Sequence, residues 1–210
     1  ANTCSGCKTC QIACKDKNDL PEGVRWRRVY EVEGGDWKKE GTTWVPHIFS
    51  YHLSMACNHC EDPICLRSCP NHAIHRNAQG VVVIDDDKCM GCHYCEWACP
   101  YGAPQFNETT GRMTKCDFCS DYLAQGKEPA CVAACPMRAL DFGTVEELRA
   151  RHPDHENIFP LPDPEICRPA FVVHPHHTHD PSARALAEIN NWEEVKGKLP
   201  GTGDHHPAPN

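Results

Sequence analysis

The chain has 210 residues, a net charge of −8 and a pI near 5.9, a length that suits one domain or two small ones. This acidic balance excludes the basic surface that nucleic-acid-binding proteins usually carry, so we expect no nucleic-acid partner. No stretch approaches the roughly 18 consecutive apolar residues of a membrane-spanning helix. If the protein works at a membrane, something else must hold it there.

Cysteine is the largest deviation in composition, with 17 residues. Secreted disulfide scaffolds are usually shorter than about 80 residues, and an odd count would leave one thiol unpaired. Zinc sites need only four ligands, typically as two separated C-x2-4-C pairs. Three or four cysteines packed into about eleven residues favour iron–sulfur clusters instead.

The first cysteine set lies at the start of the sequence and has the spacing C-x2-C-x2-C-x3-C: Cys4, Cys7, Cys10 and Cys14. In bacterial ferredoxins, three thiolates of such a set bind one [4Fe–4S] cluster and the fourth binds its neighbour. Gly6 supplies backbone freedom where the loop wraps around an inorganic core. A short helix is predicted over residues 10–17. The start at Ala1, with neither Met nor a signal-like segment, predicts either processing or an upstream start.

A hairpin is predicted next. Residues 24–33 and 44–53 are rich in Val, Trp, Tyr, Ile and Phe, and glycine-containing segments separate them. This pattern indicates two strands joined by a long tip. Arg25, Arg27 and Arg28 lie at the start of the first strand, where we expect a solvated face; a partner-docking patch is the alternative.

Two more cysteine sets follow, with a second predicted hairpin between them. The second set, C-x2-C-x4-C-x3-C-P, consists of Cys57, Cys60, Cys65 and Cys69. His59 lies within it, but four thiolates are already present, so we expect this imidazole beside the cluster or at the surface rather than on iron. Residues 73–76 and 81–84 flank a polar turn and predict the hairpin. The third set repeats the bacterial ferredoxin spacing and consists of Cys89, Cys92, Cys95 and Cys99.

The fourth set contains an insertion, for which we expect a helix and a loop. It consists of Cys116, Cys119, Cys131 and Cys135. Residues 137–142 then predict a strand. A capping box that opens at Thr144 predicts a short helix to about His152.

Beyond residue 160, prolines and histidines change the texture of the sequence. The histidines are His174, His176, His177, His179, His205 and His206. The favoured interpretation is an extended arm that lies on a partner, with one amphipathic helix over residues 182–197; a metal-binding tract is the alternative. Cys167 stands alone in this segment and is expected to be a structural thiol, because sixteen ligand positions are filled elsewhere.

Longer motifs surround the cysteines. They are residues 4–15, Cys57-Asn58-His59-Cys60-Glu61-Asp62-Pro63, residues 89–104 with their Ala-Cys-Pro-Tyr-Gly-Ala-Pro segment, Thr114-Lys115-Cys116-Asp117, and residues 138–143. Through them the protein, over about residues 3–150, closely resembles the iron–sulfur (beta) subunits of the dimethyl sulfoxide reductase family. Polysulfide, thiosulfate and nitrate reductases and formate dehydrogenases have related subunits. Gly34-Gly35-Asp36-Trp37 points to the sulfoxide reductase branch.

The resemblance implies how the sets pair, because in this family one ferredoxin unit is nested inside the other. It implies four [4Fe–4S] clusters: cluster 1 on Cys4, Cys7, Cys10 and Cys135; cluster 2 on Cys14, Cys116, Cys119 and Cys131; cluster 3 on Cys57, Cys60, Cys65 and Cys99; cluster 4 on Cys69, Cys89, Cys92 and Cys95. Spacing alone supports crossed pairs but does not exclude pairing the first set with the second. Nitrate reductase relatives hold a three-iron cluster with Trp where this sequence has Cys92, so a four-iron centre is expected here.

The expected fold is α+β, with two nested bacterial-ferredoxin-like modules, short helices, β-hairpins and an extended C-terminal arm. The predicted parts are an outer module of residues 1–20 and 104–150, an inner module of residues 54–103, a hairpin insertion of residues 21–53 and a Pro/His-rich arm of residues 151–210.

The implied function is electron transfer rather than catalysis, since the sequence shows no nucleophile–base pair and no glycine-rich nucleotide loop. The resemblance implies two partners, a molybdopterin-containing catalytic subunit and an integral membrane subunit that oxidises quinol. The protein would then lie peripherally at the membrane through its partners, on either side. A free-standing soluble polyferredoxin and a zinc-stabilised interaction module are the alternatives.

Overall fold

A long antiparallel hairpin forms the largest sheet of the protein. In the computed structural model, which describes residues 1–195, β1 (Arg28–Glu40) pairs with β2 (Thr43–Met55) along its whole length. The two predicted strands are confirmed, but the long tip is wrong. Gly34 and Gly35 continue the strand, and at Gly34 an added Cβ would collide with the backbone of residues 186 and 187.

A third strand, β7 (Ala187–Ile189), pairs antiparallel with the outer edge of β1 and places Ile189 opposite Val32. Residues Pro181–Leu186 before it form a 3-10 helix, and a single turn of helix, α7 (Trp192–Val195), follows it. The predicted helix over residues 182–197 is therefore wrong in the described part, because an open strand edge claims its middle. Residues 196 and 197, like His205 and His206, lie outside the described residues.

The main core lies on one face of this sheet. Tyr30 and Val32 of β1 and Tyr51 and Leu53 of β2 pack against apolar side chains from residues 158–173. The Tyr51 hydroxyl also donates to the carbonyl oxygen of Phe159 at 2.7 Å. Within residues 151–195, the segment predicted as an extended arm thus covers the sheet of its own polypeptide.

The cysteine sets carry short helices and two small hairpins. The helices are α1 (Thr9–Lys17), α2 (Ile64–Arg67), α3 (Tyr94–Ala98), α4 (Ser120–Leu123) and α5 (Ala130–Ala133). The first hairpin pairs β3 (Ile74–Arg76) with β4 (Val82–Ile84), and the second pairs β5 (Gln105–Asn107) with β6 (Arg112–Thr114). The predicted helix near residue 10, the helix in the fourth set and the hairpin before the third set are confirmed.

The segment after the fourth set is less regular than predicted. Helix α6 (Val145–Arg151) begins at the predicted capping box, in which Thr144 and Glu147 bond each other's backbone N–H groups. The strand predicted over residues 137–142 is absent from the described structure, since these residues form turns and irregular segments. A second 3-10 helix spans Pro164–Ile166.

The mixture of short helices and small sheets agrees with the predicted α+β class. Among the described residues, no helix is both long and apolar enough to cross a membrane.

Candidate metal centres

Cysteine side chains line three separate cavities of the protein. We name the groups site 1, site 2 and site 4. Site 1 consists of Cys4, Cys7, Cys10 and Cys135; site 2 of Cys14, Cys116, Cys119 and Cys131; site 4 of Cys69, Cys89, Cys92 and Cys95. Each group combines three cysteines of one set with the last or first-set cysteine of another. These are the groups that the resemblance implies, while iron binding by them stays a prediction.

The remaining four predicted ligands form site 3: Cys57, Cys60, Cys65 and Cys99. Burial raises the pKa of Cys65 to about 12, and the neighbouring thiols of Cys57 and Cys99 add to that rise. Burial likewise raises the pKa of Cys99 to about 11. The four thiols are therefore close enough to repel one another once ionised.

All four sets share one backbone device. The residue before the second cysteine has a left-handed conformation in each set, with φ of 71° at Gly6, 44° at His59, 71° at Gly91 and 60° at Phe118. Glycine adopts this conformation without strain, whereas His and Phe do so at a cost. Sequence reasoning identified the two glycines and missed His59 and Phe118, although their position within the C-x-x-C pairs was the available signal.

A second repeated device follows the cysteines at the end of three sets, in the pattern Cys-Pro-x-x-Ala. The backbone N–H of Ala73 donates to Cys69 Sγ at 3.3 Å, and that of Ala139 donates to Cys135 Sγ at 3.3 Å. The residue before each of these alanines is left-handed, with φ of 48° at His72 and 51° at Arg138. This turn replaces the strand that the sequence predicted after the fourth set.

The equivalent turn at Cys99 uses glycine. Gly102 has φ of 54°, and the N–H of Ala103 bonds Cys99 and opposes the burial that raises the pKa of this thiol. Hydrogen bonds to a sulfur favour its negatively charged form.

Further N–H groups reach the sulfurs at sites 2 and 4. The backbone N–H of Phe118 donates to Cys116 Sγ at 3.4 Å, and that of Met113 donates to Cys89 Sγ at 3.4 Å. The side-chain amide of Asn18 lies 3.7 Å from Cys14 Sγ. Such hydrogen bonds stabilise iron-bound thiolates and adjust the reduction potentials of their clusters.

Without iron, the buried thiols hold their protons. Burial raises the pKa of Cys14 to about 11 and that of Cys95 to about 12, with neighbouring thiols contributing in both cases. At neutral pH these groups are thiols, so metal binding must release protons. The four groups would then supply only thiolates, which is the ligand set of a [4Fe–4S] cluster.

Several buried nitrogen atoms near the sites lack a hydrogen-bond partner among the described residues. They are Arg27 Nε, Asn58 Nδ2 and His59 Nε2. Burial lowers the pKa of His59 to about 3, and its Nδ1 accepts a hydrogen bond from the backbone N–H of Val82 at 3.2 Å. The neutral ring therefore carries its proton on Nε2. These N–H groups can donate to an acceptor that the polypeptide itself does not supply, which fits a bound cluster.

Within residues 1–195, no three Cys, His, Asp or Glu side chains are placed to hold one metal ion. A [4Fe–4S] cluster does not require that arrangement, since each thiolate binds a different iron atom.

The four sites lie in the order 1, 2, 3, 4. Cys10 of site 1 and Cys131 of site 2 pack in one small core with Val29. Cys57 of site 3 lines the cavity of site 2. Cys65 of site 3 packs against the core that contains Cys95 of site 4. Neighbouring sites are thus in contact through their own ligands or through a shared core.

The arginines at the start of β1 were expected on a solvated face or in a docking patch, and both interpretations are wrong for Arg28. Its side chain is only 1% exposed and donates to the carbonyl oxygens of Tyr101 at 2.9 Å and Gly102 at 3.1 Å. Arg25 donates to the carbonyl of Glu194, and Arg27 turns towards site 2. The turn after Cys99 has buried carbonyl groups that need donors, and periodicity within β1 cannot reveal this.

Comparisons with known proteins identify relatives along most of the sequence. A family profile described as a 4Fe-4S dicluster domain matches residues 48–145. The B chain of anaerobic dimethyl sulfoxide reductase from Escherichia coli strain K12 is 49% identical over 195 residues, which are 93% of this protein and 95% of that relative. The B chain of polysulfide reductase from Wolinella succinogenes is 40% identical over 151 residues, 71% of this protein and 76% of that relative. The thiosulfate reductase electron transfer subunit PhsB of Salmonella typhi is 39% identical over 145 residues, 69% and 72% of the two proteins.

Proposed function

Because this protein belongs to the family of dimethyl sulfoxide reductase iron–sulfur subunits, we propose that it binds four [4Fe–4S] clusters and relays electrons within a respiratory reductase complex. The grouping of sixteen cysteines into four consecutive all-thiol sites is the observation that carries this proposal. Each bound cluster would exchange one electron at a time.

In this proposal the protein's own residues have three tasks. The thiolates of sites 1 to 4 hold the clusters with the grouping given above. The N–H groups of residues such as Ala73 and Ala139 stabilise negative charge on the sulfurs. The surrounding apolar cores, which include Val29 and Met113, exclude water from sites 1, 2 and 4. We assign residues 1–20 and 104–150 to an outer ferredoxin-like module and residues 54–103 to an inner one.

The two ends of the row of sites carry exposed apolar side chains. Around site 4, Met90 is 62% exposed and Trp97 is 72% exposed, and Tyr94 lies beside them. Around site 1, Ile12 and Met137 are exposed. Exposed apolar groups of this kind mark protein interfaces, so we infer that sites 1 and 4 face partner subunits.

The relatives' names describe lettered chains or a subunit of reductases, which supports a complex. We propose that one end of the row meets a molybdopterin-containing catalytic subunit and the other meets an integral membrane subunit that oxidises quinol. The protein would then be held at the membrane by its partners.

The test is the iron and acid-labile sulfide content of the anaerobically purified complex, together with low-temperature EPR after reduction by dithionite. We expect about sixteen of each per polypeptide and magnetically coupled spectra. Co-purifying molybdenum would support the catalytic partner. About eight irons per polypeptide would contradict four clusters, and purification without partners would favour a soluble polyferredoxin. Zinc without iron would overturn the proposal.

A further inference from the structure

Two basic side chains enter the interior between the cysteine sites. Lys115 is only 4% exposed, and its Nζ donates to the carbonyl oxygen of Cys116 at 2.9 Å and to that of Val82. Cys116 belongs to site 2, whereas Val82 belongs to β4, which leads from the second cysteine set to the third. The ammonium group therefore ties the backbone of site 2 to the hairpin beside sites 3 and 4.

Arg27 occupies the corresponding place between sites 1 and 2. Its Nη1 donates to Ser54 Oγ at 3.0 Å, and Ser54 Oγ lies 3.3 Å from Sγ of Cys10, a site 1 cysteine. The same arginine lines the cavity of site 2 beside Cys14 and Cys131. Its Nε is buried and has no hydrogen-bond partner in the described structure.

Among the described residues, neither cation has a carboxylate to neutralise it. Within residues 1–195, every ion pair involves other basic groups, so Lys115 and Arg27 bond only to carbonyl and hydroxyl oxygens. A buried charge without a counterion is strongly destabilising. A protein that retains two such charges must gain an anionic partner at the same place.

The sulfurs within reach of these cations belong to consecutive sites. Burial raises the pKa of Cys65 to about 12, and Lys115 acts against that rise; Lys115 acts in the same direction on Cys116. Arg27 faces the thiols of site 1 through Cys10 and of site 2 through Cys14, Cys116 and Cys131. Each cation is thus shared by two neighbouring sites.

We propose that Arg27 and Lys115 are positioning residues for electron transfer, with Arg27 countering the negative charge of the centres at sites 1 and 2 and Lys115 that of the centres at sites 2 and 3. The inference rests on the proposed function. A cluster becomes more negative by one unit when it gains an electron, so a nearby fixed cation stabilises the reduced form and raises the reduction potential. It also offsets repulsion between neighbouring reduced centres.

The test uses the holo-complex with Lys115→Met, Arg27→Met and an exposed control, Lys88→Met, whose side chain is 61% exposed and pairs with Asp85. Potentiometric titration followed by EPR gives the reduction potential of each centre. We expect the potentials of two centres to fall in each interior variant, by at least about tenfold in the reduction equilibrium, or 59 mV for one electron. One centre, at site 2, should fall in both variants, and the centre at site 4 should fall in neither.

Charge-retaining variants separate electrostatics from packing. Arg27→Lys and Lys115→Arg should leave the potentials near those of the wild type. If Lys115→Met loses a cluster, Lys115→Gln replaces it, since its amide can still donate to the Val82 carbonyl. Cluster loss in both neutral variants but not in Lys115→Arg supports the role of charge, whereas loss in all three overturns it.

Two outcomes distinguish the inference from the function on which it rests. A wild-type complex with fewer than four centres defeats the proposed function. Four centres whose potentials are unchanged, or shift equally at every site, in Lys115→Met and Arg27→Met defeat the inference alone.

Discussion

The Sγ atom of Cys167 lies 3.4 Å from the Sγ atom of Cys60, a predicted cluster ligand at site 3. Cys167 is only 1% exposed, and its segment is fastened to the second cysteine set by the backbone. The N–H of Asp62 donates to the Cys167 carbonyl at 3.2 Å, and the N–H of Glu61 donates to the Arg168 carbonyl at 2.8 Å. The seventeenth cysteine is therefore held against site 3 without belonging to any of the four groups.

This contact predicts that Cys167 supports a ligand and is not one. Once Cys60 binds iron it has no proton, so the Cys167 S–H must be the donor, and a hydrogen bond to a ligand sulfur raises the potential of its cluster. We expect Cys167→Ala to keep all the iron and to lower the potential of one centre. Cys167→Ser, which keeps a donor, should lower it less.

Iron analysis and an EPR titration measure both effects, with Cys60→Ser as the comparison that should lose the site 3 cluster. Loss of about four irons in Cys167→Ala would instead identify Cys167 as a ligand and contradict the assignment of site 3.

Gly91 predicts a second, local effect. Its φ is 71°, and an added Cβ would overlap the carbonyl oxygen of Gly111. Because the obstacle is backbone, it cannot move aside as a flexible side chain would. We expect Gly91→Ala to lose the cluster at site 4 and to lower the iron content from about sixteen to about twelve per polypeptide.

Gly80→Ala is the matched control. Gly80 has φ of 80°, and a Cβ there would meet nothing within 4 Å, so only the left-handed backbone penalty of about 1–2 kcal/mol applies. This variant should keep its full iron content. Equal iron in both variants would contradict the close approach at Gly91.

Local sequence patterns predicted the parts of the fold that form locally. Helix α1, the β3–β4 hairpin and the capping box at Thr144 each depend on residues within a few positions of one another. The pattern failed where distant groups decide the structure. Residues 137–142 have the composition of a strand, but the sulfur of Cys135 takes the N–H of Ala139 and forces a turn. Strand β7 exists because β1 has an open edge that only the folded protein reveals.

The interior cations were unpredictable for the same reason. Arg27 and Arg28 are adjacent where β1 begins, and alternation along a strand would place at least one of them on a solvated face. The carbonyl groups of Tyr101 and Gly102 follow the third cysteine set, far along the sequence, and draw Arg28 inside. By contrast, the cysteine groups agree with the pairing implied by the family resemblance, which supplied what spacing alone left open.

Asn191 predicts that the C-terminal segment stabilises the sheet. Its side-chain amide donates to the Val29 carbonyl at 2.8 Å and accepts from the Glu31 N–H at 2.9 Å. Asn191→Ala would leave these two backbone groups unsatisfied, at a cost of about 1–3 kcal/mol for a buried group. Because cluster loss is irreversible, the measurement is the rate of iron release to a ferrous chelator on mild heating.

We expect faster release from Asn191→Ala than from the wild type, and unchanged release from Asn190→Ala, whose side chain is exposed. An Asn191→Asp variant should be intermediate or worse, since a carboxylate can accept from Glu31 but cannot donate to Val29. Identical rates in all the variants would show that the segment after residue 186 does not hold β1 in place.

Helix α1 offers the sharpest test of the pairing of the sets. Cys10 and Cys14 lie one turn apart on this helix and are both buried, yet they are assigned to different sites. Cys10→Ser and Cys135→Ser should therefore remove the same EPR signal, although their positions are 125 residues apart. Cys14→Ser and Cys119→Ser should remove another signal, and Cys10→Ser and Cys14→Ser should differ. A common spectrum for the two α1 variants would mean that the first set binds a single cluster by itself, and the crossed arrangement would be wrong.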